Sequence, residues 1–152
     1  MALLKDGVFA RDPWTQLDDA ADLGGVEHPI VSLERWQANG NGLARYNGPL
    51  GIRLKSDQPP ALIADDLARF DLVALEFPKF ADGRAFTYAR LLRERHGYAG
   101  ELRAVGDVLR DQYQFMLRCG FDAFEVADAN SIDGWRQSAA EITVWYQPAA
   151  TG

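Results

Sequence analysis

GIRLK (51–55), LVALEF (72–77), ELRAV (101–105) and FDAFEV (121–126) are short apolar runs of the length and composition that favour β-strands. Their starts are 20 to 29 residues apart, and the intervals carry apolar side chains at helical spacing. Strands that alternate with helices in this way predict βαβ units around a parallel sheet. With right-handed crossovers, four such units make about half of a (β/α)8 barrel.

The pattern predicts a single α/β domain over residues 1–152, with an N-terminal part over 1–49 and a βα core over 50–147. Asp6-Gly7 between apolar residues predicts an N-terminal β-hairpin. We expect a short helix that Ser32 caps and Gly40 ends.

Further helices are expected to start near Pro59 and Ala85, and another runs from Asn130 or Ser131 to about Ala140. Residues 142–146, ITVWY, predict a possible fifth strand. The core would therefore hold four or five βα units.

The composition is that of an ordinary globular protein, with 47% hydrophobic and 25% charged residues. A net charge of −6 disfavours nucleic acid as a partner. No apolar run approaches the ~20 residues of a membrane span. The first residues do not resemble a secretory signal, so we expect a cytoplasmic protein.

Three stretches resemble one bacterial family, domain of unknown function 934, over about residues 28–126. They are FPKFADGR (77–84), ARLLRER (89–95) followed by GYAGELRAVGDVLRDQ (97–112), and RCGFDAFE (118–125). Members are often named probable oxidoreductases of sulfite reduction because their genes neighbour those of sulfite reductase. The resemblance implies a pathway, with sulfite reductase components as possible partners, and it implies no mechanism.

Recognisable cofactor sites are absent from the sequence. Gly40-Asn-Gly42 lacks the third glycine of the dinucleotide fingerprint, because Arg45 stands there. Cys119 is the only cysteine, so one chain cannot build a four-thiolate iron–sulfur cluster. His28 and His96 are far apart in sequence, and we expect no metal site. No cofactor is therefore predicted.

Each predicted strand carries one central charge, and the signs alternate along the chain: Arg53, Glu76, Arg103 and Glu125. Parallel strands buried on both faces are normally continuous apolar runs, so these charges need partners. The stagger between barrel strands predicts a continuous Arg–Glu–Arg–Glu ladder on the inner face. Such a ladder could be a polar site or a structural network. The alternative is that the charges lie at strand ends or on an uncovered face.

The loop after the second of these strands is a candidate anion site, because α/β sheets bind ligands at the carboxyl ends of their strands. Lys79 and Arg84 could hold an oxyanion, and Asp82 could orient either cation or abstract a proton. Alternatively, Asp82 caps the next helix and both cations are solvated. Asp107 occupies the equivalent position after the third strand, where capping of a helix is the favoured role.

Two other features have structural interpretations. Cys119 is expected to pack in the core near a helix end, because a helix C-terminus does not activate a thiol. An open sheet edge predicts self-association or partner binding, with Trp145 and Tyr146 as contact candidates. The alternative is that the N-terminal hairpin covers that edge.

Two functions remain open from the sequence. The first is an accessory or adapter protein of assimilatory sulfite reduction without its own redox cofactor. The second is a small enzyme whose strand-end polar site binds a sulfur oxyanion or a phosphorylated metabolite through Lys79, Arg84 and Arg53.

Overall fold

The computed structural model describes residues 2–38, 43, 46–78, 83–126, 134, 135 and 137. The strands are β1 (Ala2–Lys5), β2 (Val8–Ala10), β3 (Thr15–Gln16), β4 (Pro29–Ser32), β5 (Gly51–Leu54), β6 (Leu72–Phe77), β7 (Glu101–Gly106) and β8 (Ala123–Val126). The α-helices are α1 (Leu33–Ala38), α2 (Arg84–Arg90) and α3 (Tyr113–Cys119). A 3₁₀ helix covers Pro60–Arg69, a π-helical turn continues α2 over Leu91–Arg95, and a 3₁₀ turn at Arg110–Gln112 precedes α3.

Within the described residues, the strands form one sheet in the order β2-β1-β8-β7-β6-β5-β4-β3. Strands β3 to β8 run parallel, and β1 pairs antiparallel with both β2 and β8. The predicted class is confirmed: a mostly parallel α/β half-barrel sheet with an N-terminal hairpin and short helices.

Chain connectivity requires the sheet to curl. Strands β2 and β3 lie at opposite edges, yet only residues 11–14 separate them. The chain from Ala10 to Thr15 spans at most ~18 Å when it is fully extended. The two edges of a flat sheet of eight strands would lie ~33 Å apart at the usual strand spacing. Curling brings the edges close enough for this short connection, which crosses the inner side of the sheet.

The N-terminal hairpin forms as Asp6-Gly7 predicts. Asp6 (φ 52°) and Gly7 (φ 83°) both adopt left-handed backbone conformations, which two-residue hairpin turns need to match the twist of their strands. Strand β1 pairs with β8, with Leu4 opposite Phe124. The hairpin therefore covers the edge of β8 that four parallel units alone would leave open.

Helix α1 begins at the predicted cap. The backbone N–H of Arg35 donates to Ser32 Oγ at 3.0 Å, which satisfies one of the free donors of the first turn. Its predicted end at Gly40 lies outside the described residues.

The main core lies between the outer face of the sheet and the helices. Ile52 and Leu54 of β5 and Val73 and Leu75 of β6 point to this side, where Leu92 packs against them. Alternate residues of the same strands therefore point to the inner face. The charges of the sheet lie on that inner face.

Two parts of the prediction need correction. Strands β3 and β4 were not predicted, because β3 has only two residues and β4 begins with a proline and leads directly into α1. Asp107 does not cap a helix, since the chain after β7 becomes helical only at Arg110 and neither helical segment there has a side-chain cap. Its backbone N–H instead donates to the Phe77 carbonyl at 2.9 Å.

Several predicted features lie outside the described residues. They are the strand over 142–146 with Trp145 and Tyr146, and most of the helix from Asn130 to Ala140.

Candidate functional site

The inner-face charges of the sheet are arranged in layers across the strands. Arg53 on β5, Ala74 on β6 and Arg103 on β7 are register partners, so they form one layer. Glu76 on β6 and Glu125 on β8 lie two residues further along their strands and belong to the next layer. All four predicted charges therefore share the inner face, as expected. The two arginines lie in one layer and the two glutamates in the next.

The charges form two separate pairs. Arg53 Nε donates to Glu76 Oε2 at 3.1 Å, and Arg103 Nη1 donates to Glu125 Oε2 at 3.1 Å. No ion pair joins Glu76 to Arg103 among the described residues. The prediction of a continuous ladder is wrong at this step, because Arg103 binds Asp12, Glu101 and Glu125 instead of Glu76.

Arg103 is the centre of a buried network that the sequence did not predict in full. Its side chain is 0% exposed, and it contacts Asp12 at 2.9 Å and Glu101 at 2.8 Å in addition to Glu125. Lys5 reaches the same Glu101 at 2.8 Å. Burial disfavours the charged guanidinium, but the hydrogen bonds and charges of Asp12 and Glu101 outweigh this and raise the pKa of Arg103. The network stabilises the closure of the sheet.

The connection over residues 11–14 fills the part of the inner face beside this network. Trp14 packs on an apolar cluster of Ile30, Leu72, Ala74 and Val105. Asp12 of the same connection binds Arg103 through both carboxylate oxygens. The part of the inner face that this connection covers, from Ile30 on β4 to Arg103 on β7, therefore has a structural role.

A second part of the inner face carries a polar cleft of about 390 Å³. It lies at the carboxyl ends of β3 to β6, where parallel α/β sheets bind ligands. Its volume falls within the range of small-molecule sites. Its lining is Gln16, Leu17, Asp18, Asp19, Ser32, Glu34, Arg53, Lys55 and Glu76.

Hydrogen bonds organise one wall of this cleft. Ser32 Oγ donates to Asp19 Oδ1 at 2.6 Å, so the residue that caps α1 also orients a carboxylate. Asp18 fixes the same segment through its backbone carbonyl, which accepts a 2.8 Å hydrogen bond from Arg35 Nη1. The Asp18-Asp19 turn is thereby attached to α1.

Glu34 is another carboxylate of the lining that has its own partners. Glu34 accepts a 2.8 Å hydrogen bond from Gln58 Nε2 and lies 3.5 Å from Lys55 Nζ. Hydrogen bonds from its own backbone N–H and from Gln58, together with the charge of Lys55, lower the pKa of the Glu34 carboxyl. This group is therefore ionised at neutral pH.

The other described candidates from the sequence are not among the residues that line the cleft. Arg84 is exposed at the start of α2, and Asp107 is exposed after β7. Lys79 and Asp82 lie outside the described residues. Cys119 is 2% exposed in the core at the end of α3, as expected of a packing residue.

Sequence reasoning missed the N-terminal residues of the site. Gln16, Asp18 and Asp19 come from a region without periodic apolar pattern, and Glu34 comes from the predicted short helix. The pairing of β3, β4 and β5 brings them near Arg53. In the described part of the chain, no group of three or more His, Cys, Asp or Glu residues is placed to hold a metal ion. Within the same residues, no helix has the length and apolar character to cross a membrane.

Glu76→Gln should lower the free energy of unfolding by only about 1 kcal/mol or less, because its pair with Arg53 is about one-third exposed and water screens such pairs. The ladder expected from the sequence would have made this loss several kcal/mol. Urea unfolding of both proteins measures the difference. A loss of 3 kcal/mol would contradict the two-pair arrangement.

The fold and the cleft together define a half-barrel α/β protein with a polar strand-end cleft. Residues 51–152 match a family described as "Bacterial protein of unknown function (DUF934)". The chain belongs to this DUF934 family. No curated protein matches it.

Proposed function

We propose that this chain is an accessory or adapter protein of assimilatory sulfite reduction that carries no redox cofactor of its own. The sequence stretches within residues 77–125 support the pathway through their resemblance to a family encoded beside sulfite reductase. Cys119, the single thiol, is buried and has a packing role.

The observation that carries the adapter role is an exposed aromatic surface on the helical side. Phe115 of α3 is 44% exposed, and its ring lies 4.7 Å from that of Phe86 on α2. The Arg90 guanidinium lies 5.7 Å from the centre of the Phe115 ring. Arg118 lies one helical turn after Phe115 on α3. We call Phe86, Arg90, Phe115 and Arg118 the helical patch. Aromatic residues and arginine are enriched at protein–protein contacts.

The charge around the helical patch favours an acidic partner surface. Apart from Glu101 and Arg103, which belong to the inner face, residues 84–120 contain six arginines and three acidic residues, although the whole chain has a net charge of −6. Opposite charge on the partner would speed association and exclude wrong partners. We therefore expect the helical patch to dock on an acidic surface of a sulfite reductase component.

Affinity purification from the native host tests this role. The tagged chain should enrich sulfite reductase subunits, measured by quantitative mass spectrometry against an untagged control. Phe115→Ser should reduce the enrichment at least fivefold, whereas Lys55→Glu, on the opposite side of the sheet, should not. Equal enrichment by both variants would exclude the helical patch, and no enrichment by the unaltered chain would contradict the adapter role.

The strand-end cleft favours a second candidate, a small enzyme or binding protein for a small polar molecule. The oxyanion site expected from the sequence comprises Lys79, Arg84 and Arg53. Of its two described members, Arg84 and Arg53, only Arg53 lines the cleft. Calorimetric titration with sulfite, sulfate and phosphate tests whether the cleft binds an oxyanion. Binding that Arg53→Met removes would support it.

A further inference from the structure

We propose that the strand-end cleft binds a small zwitterion of the α-amino-acid type, with an ammonium group at Asp18 and Asp19 and a carboxylate at Arg53. This inference rests on the second candidate function and names the ligand class for its site. It follows from the charges of the lining and from the hydrogen bonds that those charges already make.

The lining carries an excess of negative charge. Four carboxylates, Asp18, Asp19, Glu34 and Glu76, face two cations, Arg53 and Lys55. Both cations already have carboxylate partners, Glu76 at 3.1 Å and Glu34 at 3.5 Å. An oxyanion with two negative charges would enter a cleft with a net charge of about −2, which electrostatic repulsion disfavours. The charges therefore favour a ligand other than free sulfite, sulfate or phosphate.

The excess carboxylates lie next to each other on one wall. Asp19 accepts one hydrogen bond, from Ser32, and the Asp18 carboxylate has no hydrogen-bond partner among the described residues. Carboxylate oxygens that lack a protein cation leave room for an ammonium group, whose three donors suit several acceptors. This wall is the ammonium end of the proposed site.

Arg53 supplies the other end. Only its Nε donates to Glu76, and its two Nη groups have no partner among the described residues. Its side chain is 28% exposed, so a ligand in the cleft can reach it. Terminal guanidinium groups bind carboxylates with two parallel hydrogen bonds. A molecule with an ammonium and a carboxylate group matches both ends of the cleft.

Isothermal titration calorimetry with the full chain tests the ligand class. The probes are the twenty common amino acids, followed for the best of them by its N-acetyl derivative and by the amine that lacks the carboxylate. We expect at least one amino acid to bind and both derivatives to bind at least tenfold more weakly. Sulfite, sulfate and phosphate should not bind.

Variants locate the site. Arg53→Met and the double variant Asp18→Asn, Asp19→Asn should each weaken the amino acid at least tenfold, while Arg118→Gln, on the helical side, should leave affinity unchanged. Circular dichroism confirms that each variant is folded. Binding that no cleft variant weakens would overturn the proposal.

Two further outcomes distinguish a failure of the zwitterion proposal from a failure of the second candidate function. Binding of sulfite or phosphate in place of amino acids would overturn the zwitterion and keep the cleft as a ligand site. If no probe binds at concentrations on the order of 10 mM, both the zwitterion proposal and the second candidate function are overturned.

Discussion

Replacing Arg103 with methionine should lower the free energy of unfolding by about 3–5 kcal/mol, because removing one partner of a buried ion pair is strongly destabilising. Among the described residues, Asp12 and Glu125 would lose their cation, and Glu101 would keep only Lys5. Arg103 is fully buried and contacts Asp12, Glu101 and Glu125 within 3.1 Å. Urea unfolding followed by circular dichroism measures the loss.

Arg53→Met is the matched control for this substitution. Arg53 occupies the same layer of the sheet, but it is 28% exposed and has one carboxylate partner. Its removal should cost about 1 kcal/mol or less. Equal losses for the two variants would contradict the structural role given to the Arg103 network.

Gly106→Ala should be the second large effect, with a loss of about 2–3 kcal/mol or more. Gly106 ends β7 with φ at +87°, in the left-handed region that side chains rarely adopt, and an added Cβ would lie 2.5 Å from the Phe77 carbonyl oxygen. That oxygen is a backbone atom of β6, so the contact cannot be relieved by moving a side chain. The same unfolding experiment measures the cost.

Gly97→Ala separates backbone strain from this close contact. Gly97 also has a positive φ, +63°, but an added Cβ there would meet nothing within 4 Å. The control should therefore lose only about 1–2 kcal/mol, the cost of the left-handed conformation. If Gly106→Ala cost no more than Gly97→Ala, the approach of β7 to the Phe77 carbonyl would be looser than described.

The sequence predicts the parts of the fold that local patterns determine. Residues 72–77 form a strand as expected because a short apolar run between turn residues is a local signal. Asp6-Gly7 gives the hairpin because the turn chemistry lies in two adjacent residues. Ser32 caps α1 for the same reason, since a cap depends on a donor only three residues away.

Features that depend on strand register were harder to predict. The sequence shows that Arg53 and Arg103 are central charges, but it does not show that Ala74 lies between them in one layer. Asp12 is 91 residues from Arg103, and no local pattern links the two. The predicted ladder failed there, although each of its charges points to the expected face.

The strand-end cleft also depends on strand pairing, which places β3 and β4 beside β5. Arg53 was identified from its strand, whereas Asp18 and Asp19 are an acidic loop in the sequence and become part of a site only through β3 and β4. Strand β3 has only two residues, and β4 begins with a proline and leads directly into α1, so neither was recognised in the sequence. A candidate site built from local motifs therefore favoured Lys79, Asp82 and Arg84 over the residues that line the cleft.

Growth on defined sulfur sources tests the proposed role in sulfite reduction most directly. A strain that lacks the gene for this chain should grow normally on sulfide or cysteine and poorly on sulfate or sulfite as the only sulfur source. The unaltered gene should restore growth on sulfite, and the gene encoding Phe115→Ser should restore it less well. Normal growth of the deletion strain on sulfite would contradict the role.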